Sequence, residues 1–414
     1  MENTIKINGG KTLTGEVTIS SSKNATVALL PAVVLASEVV KVFGVPDIDD
    51  VDALVQLLKE LNINVSVDKD SYTIDPTNIT NCDLLGDGVT KLRASYYFMG
   101  ALLGRFKYVK MKKPGGCNLG PRPINLHLKG FEALGAKVTT TDSYIEIKAD
   151  ELIGDEIYLD FASVGATINI MLAASLANGR TVIQNAAKEP EIIDLSSMLN
   201  KMGAKIRGAG TSEITIDGVR RLKGCIHDVI PDRIEAGTYI ILASAVGKNV
   251  LIKNVIPQHI DALLSKLEEI GVEFEVNIDS IKVLGRKAIS PVTVTTQTFP
   301  GFATDLQQPL TALLSLASGS SHITDTIYPQ RFKHCNELNK MGANIIVGEN
   351  DCVIKGVDKL TGTEVVATDL RCGACLVIAG LMANGTTIIH DAYHIFRGYD
   401  SIVQKLSSLG ADIE

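Results

Sequence analysis

Six times along this chain a short apolar, glycine-like punctuation recurs ahead of a β-rich stretch: Leu61-Asn62-Ile63, Leu134-Gly135-Ala136, Met202-Gly203-Ala204, Ile270-Gly271-Val272, Met341-Gly342-Ala343 and Leu409-Gly410-Ala411. The spacings are 73, 68, 68, 71 and 68 residues, so the period fills all 414 positions. A repeat of that size means one supersecondary unit used six times. Departures from the pattern are then where chemistry is expected.

Each unit opens with a helix that is apolar nearly all round, as in Ile168-Asn169-Ile170-Met171-Leu172-Ala173-Ala174, Tyr239-Ile240-Ile241-Leu242-Ala243 and Cys375-Leu376-Val377-Ile378-Ala379. Such a helix belongs in a core. Gly179, Gly247, Gly319 and Gly385 read as left-handed caps that stop it. A β-branched strand follows, then an amphipathic helix such as Asp261–Leu267, then two strands such as Glu213–Gly218 and Asp351–Gly356. The sixth unit reaches Glu414 before its closing strand, and Thr4-Ile5-Lys6-Ile7-Asn8-Gly9 supplies the missing pattern. The fold class expected is α/β: a two-lobed, inside-out α/β barrel of six βαβαββ-type units, three per lobe, with buried helices and outer sheets. One lobe takes residues 21–230, and the other takes 1–20 with 231–414.

A net charge of −7 argues against a general binder of nucleic acid or membrane surfaces, which needs a basic face. Any anionic ligand must be met by a local cluster of cations. The opening Met1-Glu2-Asn3-Thr4 has neither a basic nor an apolar leader character, and no apolar run reaches about 18 residues. A cytoplasmic location is expected. Seven cysteines without a framework spacing read as reduced thiols.

Cations recur at or near the start of the buried helix: Lys23, Arg93, Arg233 and Arg371. The positive end of the helix dipole disfavours them there. Either they pair with nearby acids such as Asp369 or Glu235, or several loops assemble an anion pocket in which arginine forks grip carboxylate or phosphate. In the fifth unit the matching segment is Ala303-Thr304-Asp305-Leu306-Gln307, where Asp305 is either a helix N-cap or a general base facing those cations. The second unit carries the largest irregularity, Lys112-Lys113-Pro114-Gly115-Gly116-Cys117-Asn118-Leu119-Gly120-Pro121-Arg122-Pro123, a loop suited to act as a lid. Its basic neighbours favour a reactive thiol at Cys117. Cys372 and Cys375 followed by His390 and His394 match zinc-finger spacing, but the intervening residues are the repeat's own buried helix and strand, so core packing is the better reading.

At these residues, with Ser22-Lys23-Asn24-Ala25, Leu92-Arg93-Ala94-Ser95, Leu126-His127, Ser163-Val164-Gly165-Ala166-Thr167, Glu189-Pro190-Glu191-Ile192, Pro231-Asp232-Arg233-Ile234-Glu235, Thr304-Asp305 and Tyr393-His394-Ile395-Phe396-Arg397-Gly398-Tyr399, the chain resembles the enolpyruvyl transferases, and among them the UDP-N-acetylglucosamine 1-carboxyvinyltransferases. The resemblance spans the whole length. It implies addition of the sugar 3-hydroxyl to C2 of phosphoenolpyruvate and loss of phosphate by C–O cleavage. It implies no metal or organic cofactor, and no nucleic-acid, membrane or obligate protein partner. Cys117 would protonate C3 and be the target of the epoxide fosfomycin, while Asp305 would take the hydroxyl proton with Asn24 helping to place it. Lys23, Arg122 and Arg397 are implied for phosphoenolpyruvate, with Arg331 and Arg371 in support. Sugar-nucleotide contacts carry over to Arg122, Pro123, Leu126, His127, Ser163, Val164, Gly165 and Asp305, and Arg93 and Ile327 join the substrate-binding set. Asn125 stands where an aspartate is common in the family, and Phe161 where a lysine can occur. The alternatives are a transferase of the 5-enolpyruvylshikimate-3-phosphate synthase type, set against by Gly115-Gly116-Cys117, and a non-catalytic sugar-nucleotide sensor.

Overall fold

The computed structural model describes residues 3–113 and 124–414. It divides into two compact units, one formed by the chain up to Ser20 with Pro231–Glu414, the other by the described residues between Ser21 and Ile230. The described strands form six sheets, five with four strands and one with three, and each unit holds three sheets. The fold is mixed α/β.

One sheet illustrates the rest. Glu156–Tyr158 runs parallel to Arg180–Gln184, which pairs antiparallel with Glu213–Asp217, itself antiparallel to Lys205–Arg207. The helices Val164–Ala174 and Pro190–Lys201 fall between these strands in the sequence. In Arg180–Gln184 only Thr181 and Ile183 are buried, so the sheet has one core face and one wet face. The Val164–Ala174 helix is different: every residue from Gly165 to Ala174 is buried. With no polar stripe to offer water, it has no stable place except inside. The same holds for Arg233–Val246 and Leu370–Met382, which pack with Thr304–Leu314 in the core of their unit.

The chain trades strands as it passes between units. Leu13–Thr18 precedes the helix Lys23–Ala32 but lies parallel to Gly247–Lys253, while Ile226–Asp228 precedes the helix Arg233–Val246 but lies parallel to Val40–Phe43. Thr4–Asn8 pairs with Thr386–His390, from Thr4 opposite His390 to Asn8 opposite Thr386. The strand that the last sheet lacks at its own end of the chain therefore comes from the other end.

All six punctuation residues have left-handed backbone: φ is +60° at Asn62, +92° at Gly135, +104° at Gly203, +94° at Gly271 and +96° at Gly342 and Gly410. They follow the amphipathic helices, and at five of the six the next residue's N–H reaches five positions back, as from Ala136 to Phe131 (3.0 Å) and from Ala204 to Leu199 (2.9 Å); at the fourth site Gly271 N–H instead reaches Leu267 at 3.1 Å. This is a Schellman ending, where only a residue without a Cβ, or an asparagine, avoids strain. The four glycines read as caps of the buried helices are not caps of that kind. Val164–Ala174 ends at Ser175, ahead of Gly179, and Leu370–Met382 ends at Ala383, ahead of Gly385. Gly179 and Gly385 are left-handed, but in the turn that enters the next strand; Gly247 caps its helix with φ −89°, and Gly319 lies outside the left-handed region. A buried helix running into a strand needs a change of direction, and the residue that makes it sits beyond the helix.

Candidate functional site

The sequence-derived site residues fall into two groups, one in each unit. In the unit that holds Asp305, the helix Thr304–Leu314 begins after Ala303, which makes no side-chain cap bond, so Asp305 is not the N-cap. Its carboxylate is instead clasped from both sides. Arg331 Nη1 donates to Oδ1 at 2.6 Å, and Arg371 donates to Oδ2 through Nε at 3.1 Å and Nη2 at 3.0 Å. Burial alone would raise the Asp305 carboxyl, but the two guanidiniums outweigh it and hold the group well below the usual carboxylate range. Both arginines are buried, at 5% and 3% exposure.

Each arginine is aimed by further contacts. Gln307 Nε2 donates to the Arg331 carbonyl at 2.8 Å, and Arg331 Nη1 also reaches Thr304 Oγ1 at 3.2 Å. Thr304 in turn donates to Asp325, which receives the backbone N–H groups of Ile327 (2.9 Å) and Tyr328 (2.8 Å). Asp325 therefore fixes the turn at Ile327 and Tyr328, and the Tyr328 carbonyl accepts from Arg331 N–H at 3.0 Å. The Arg371 guanidinium lies 5.3 Å from the Tyr399 ring centre, and the Tyr399 hydroxyl is 2.8 Å from Thr238 Oγ1. Arg397 closes the short helix Tyr393–Phe396, two residues before Tyr399.

Among the described residues, the nearby acids weighed as partners for the cations make no side-chain ion pair with them, although the charge of Asp369 also favours the charged Arg331. Asp369 caps its own helix by accepting from the N–H groups of Arg371 and Cys372, and Glu235 is paired with Lys405 at 2.6 Å. Asp305 was the partner that sequence could not single out. Burial pushes the Cys372 thiol up to about 12, and Cys375 also lies inside the buried helix Leu370–Met382. Among the described residues no group of three or more His, Cys, Asp or Glu side chains could hold a metal ion.

In the other unit Lys23, the first residue of its helix, is 2.6 Å from Asp50, with Asn24 next along the helix and half-buried. Arg93 lies 5.7 Å from the Tyr96 ring centre, and Tyr96 meets the His127 ring edge-on at 4.9 Å between centres. His127 and Leu126 are buried in the first turn of Asn125–Ala133. Ser163 caps the Val164–Ala174 helix by accepting from Ala166 N–H at 3.3 Å. Behind it, a Cβ on Gly165 would fall 2.7 Å from the Tyr96 hydroxyl and 2.8 Å from His127 Cε1, so glycine is required for these rings to close over the helix start. Arg93, His127, Ser163, Val164 and Gly165 thus share one neighbourhood. Phe161 is exposed at its edge. Cys117, Arg122 and Pro123 lie outside the described residues. Tyr96 and Asn169 were not read as site residues. An asparagine inside the otherwise apolar Ile168–Ala174 run was the signal available for the second.

Comparison with known proteins adds to this geometry. A family profile described as EPSP synthase (3-phosphoshikimate 1-carboxyvinyltransferase) matches residues 7–406. The chain is 54% identical over 410 residues to UDP-N-acetylglucosamine 1-carboxyvinyltransferase 2 of Bacillus subtilis, covering 99% of this chain and 96% of that protein. It is 55% identical over 413 residues to the protein of the same name in Listeria monocytogenes, covering 100% and 98%. Among solved structures it is similar to the enolpyruvyl transferase NikO from Streptomyces tendae, with TM-score 0.89, 25% identity and coverage of 99% and 98%. EPSP synthase from Acinetobacter baumannii shares the fold at TM-score 0.75 and 18% identity, covering 99% of each chain.

Proposed function

The chain belongs to the enolpyruvyl transferase family, among the UDP-N-acetylglucosamine 1-carboxyvinyltransferases, and from that membership we propose how its own groups carry the reaction. The enzyme transfers the enolpyruvyl group of phosphoenolpyruvate to the 3-hydroxyl of UDP-N-acetylglucosamine and releases phosphate, the step that opens peptidoglycan synthesis. The observation that carries this reading is the 54% identity maintained across 99% of the chain.

The chemistry assigns the groups as follows. Protonation of C3 by Cys117 makes C2 electrophilic, and the sugar hydroxyl oxygen bonds to C2 as its proton passes to Asp305. Return of a C3 proton to the Cys117 thiolate then re-forms the double bond as the C2–O bond to phosphate breaks. Lys23, Arg122 and Arg397 take the anionic groups of phosphoenolpyruvate; Arg122, Pro123, Leu126, His127, Ser163, Val164, Gly165 and Asp305 take the sugar nucleotide, and Arg93 and Ile327 complete the substrate-binding set. A carboxylate gripped by two guanidiniums is a poor base. Asp305 therefore gains basicity when the anionic groups of the substrate compete for Arg331 and Arg371. The two buried sets of helices, each with three sheets, support reading the fold as a two-lobed, inside-out α/β barrel with three repeats per lobe. A cytoplasmic setting suits the soluble anionic substrates; among the described residues no helix is long and apolar enough to cross a membrane.

An acceptor assay tests the reading. With phosphoenolpyruvate present, phosphate release is expected with UDP-N-acetylglucosamine and not with shikimate 3-phosphate. Release with shikimate 3-phosphate instead would move the chain to the other branch of the family.

A further inference from the structure

The Val164–Ala174 helix buries an asparagine, Asn169, at full depth among Ile168, Ile170 and Met171. Asparagine is a weaker helix former than alanine, and a buried amide is costly unless every polar atom is used. Here each is used. Asn169 Oδ1 accepts from Gly100 N–H at 2.8 Å, and Nδ2 donates to the Gly165 carbonyl at 3.3 Å and meets His127 Nδ1 at 2.9 Å. Gly100 is a glycine for the same reason: a Cβ there would fall 2.3 Å from the Asn169 carbonyl oxygen and 2.8 Å from Oδ1.

The direction of every proton in this chain follows from one fact. A backbone N–H can only donate, so the atom facing Gly100 is the amide oxygen and the atom facing His127 is the NH₂ group. His127 Nδ1 must then accept, which leaves the ring proton on Nε2. Burial, aided by Arg93, lowers the imidazole to about 3, so the ring is neutral throughout the physiological range. Its Cε1–Nε2 edge lies over Gly165, where an added Cβ would come within 3.0 Å of Nε2. The edge-on Tyr96 ring at 4.9 Å fixes the plane.

We propose that Asn169 is a positioning residue: it holds His127 as the neutral Nε2–H tautomer, so that this ring offers the sugar nucleotide a hydrogen-bond donor without a positive charge. This rests on the reading of His127 as a sugar-nucleotide contact. The ligand atom recognised is an acceptor oxygen of UDP-N-acetylglucosamine, and phosphoenolpyruvate makes no use of the device.

Nitrogen-15 NMR of the histidine-labelled enzyme reads the tautomer directly, with the His127 signals identified by their loss in His127→Gln. Wild type is expected to show a protonated Nε2 and an unprotonated Nδ1. Asn169→Asp keeps an acceptor for Gly100 N–H but also turns an acceptor toward Nδ1, so the ring is expected to move its proton to Nδ1 and leave Nε2 without a hydrogen to donate. KM for UDP-N-acetylglucosamine should then rise about tenfold, the equivalent of one hydrogen bond, with KM for phosphoenolpyruvate unchanged. A protonated Nδ1 in wild type overturns the proposal without need of any variant, as does an altered tautomer in Asn169→Asp with an unchanged KM for the sugar nucleotide. If instead the wild-type tautomer is as expected but His127→Ala, which has no side-chain donor, binds UDP-N-acetylglucosamine as tightly as wild type, the underlying reading of His127 has failed, and the proposal with it.

Discussion

Asp305 carries the sharpest residue-level consequence. Read from sequence as a possible N-cap, its replacement by asparagine would cost no more than about 1 kcal/mol, because both residues cap well. Clasped between Arg331 and Arg371, it neutralises two buried guanidiniums, and breaking such a pairing costs about 3–5 kcal/mol. Asp305 keeps 25% of its side-chain surface open, which softens the loss. Asp305→Asn is therefore expected to destabilise the protein by about 2–4 kcal/mol in urea denaturation, with kcat lower by about 10² or more. A carboxyl held below its ordinary value gives stability that is complete above about pH 4 and is lost only as pH falls through the lowered value. The stability gap between wild type and variant should thus be flat from pH 8 to pH 5; a gap that closes over that range would contradict the clasp. Sequence marked Asp305 as a carboxylate among cations, but not its partners, since pairings 26 and 66 residues apart have no periodicity to betray them. Asn169 was hidden for a related reason: a periodic apolar pattern absorbs a single polar residue unless its hydrogen bonds can be seen.

The elements were legible where backbone geometry depends on one residue type. Left-handed φ at all six punctuation positions follows from glycine or asparagine at the end of an amphipathic helix. The glycines after the buried helices misled because the same residue also serves the turn that enters a strand. The short helix Ile402–Ser408 shows what no pattern conveys. Its Lys405 reaches Glu235 Oε1 and Ser20 Oγ, both at 2.6 Å, and Ser20 N–H donates to Glu235 Oε2 at 2.9 Å. One lysine thus ties that helix to Arg233–Val246 and to the end of the N-terminal strand segment. Burial pushes the Glu235 carboxyl up to about 7 against the opposing pull of Lys405. Lys405→Met strands this carboxylate, and a loss of about 3 kcal/mol is expected at pH 8. An acid with a raised folded value favours the native state at low pH and loses that advantage as pH rises through it. Without Lys405 the value climbs further, Glu235 takes a proton by pH 6, and the loss should be smaller there. Equal losses at both pH values in parallel denaturation series would contradict the network.

At the scale of the whole molecule, a repeated unit supplies the framework, and the reaction belongs to residues that the repeat does not require. The 68-to-73-residue spacing and the alternation in Thr4-Ile5-Lys6-Ile7-Asn8 could be read from the chain, because burial writes itself into periodicity. The hydrogen-bond chains that orient Asp305 and His127 could not, since they join positions that no periodicity links. The central claim is that this framework performs enolpyruvyl transfer, with the carbon–oxygen bond of phosphoenolpyruvate breaking. Phosphoenolpyruvate carrying oxygen-18 in the bridge between carbon and phosphorus tests it most directly, with UDP-N-acetylglucosamine as acceptor and mass spectrometry of both products. The label is expected in the released phosphate, and an unlabelled phosphate would show cleavage at phosphorus and contradict the account.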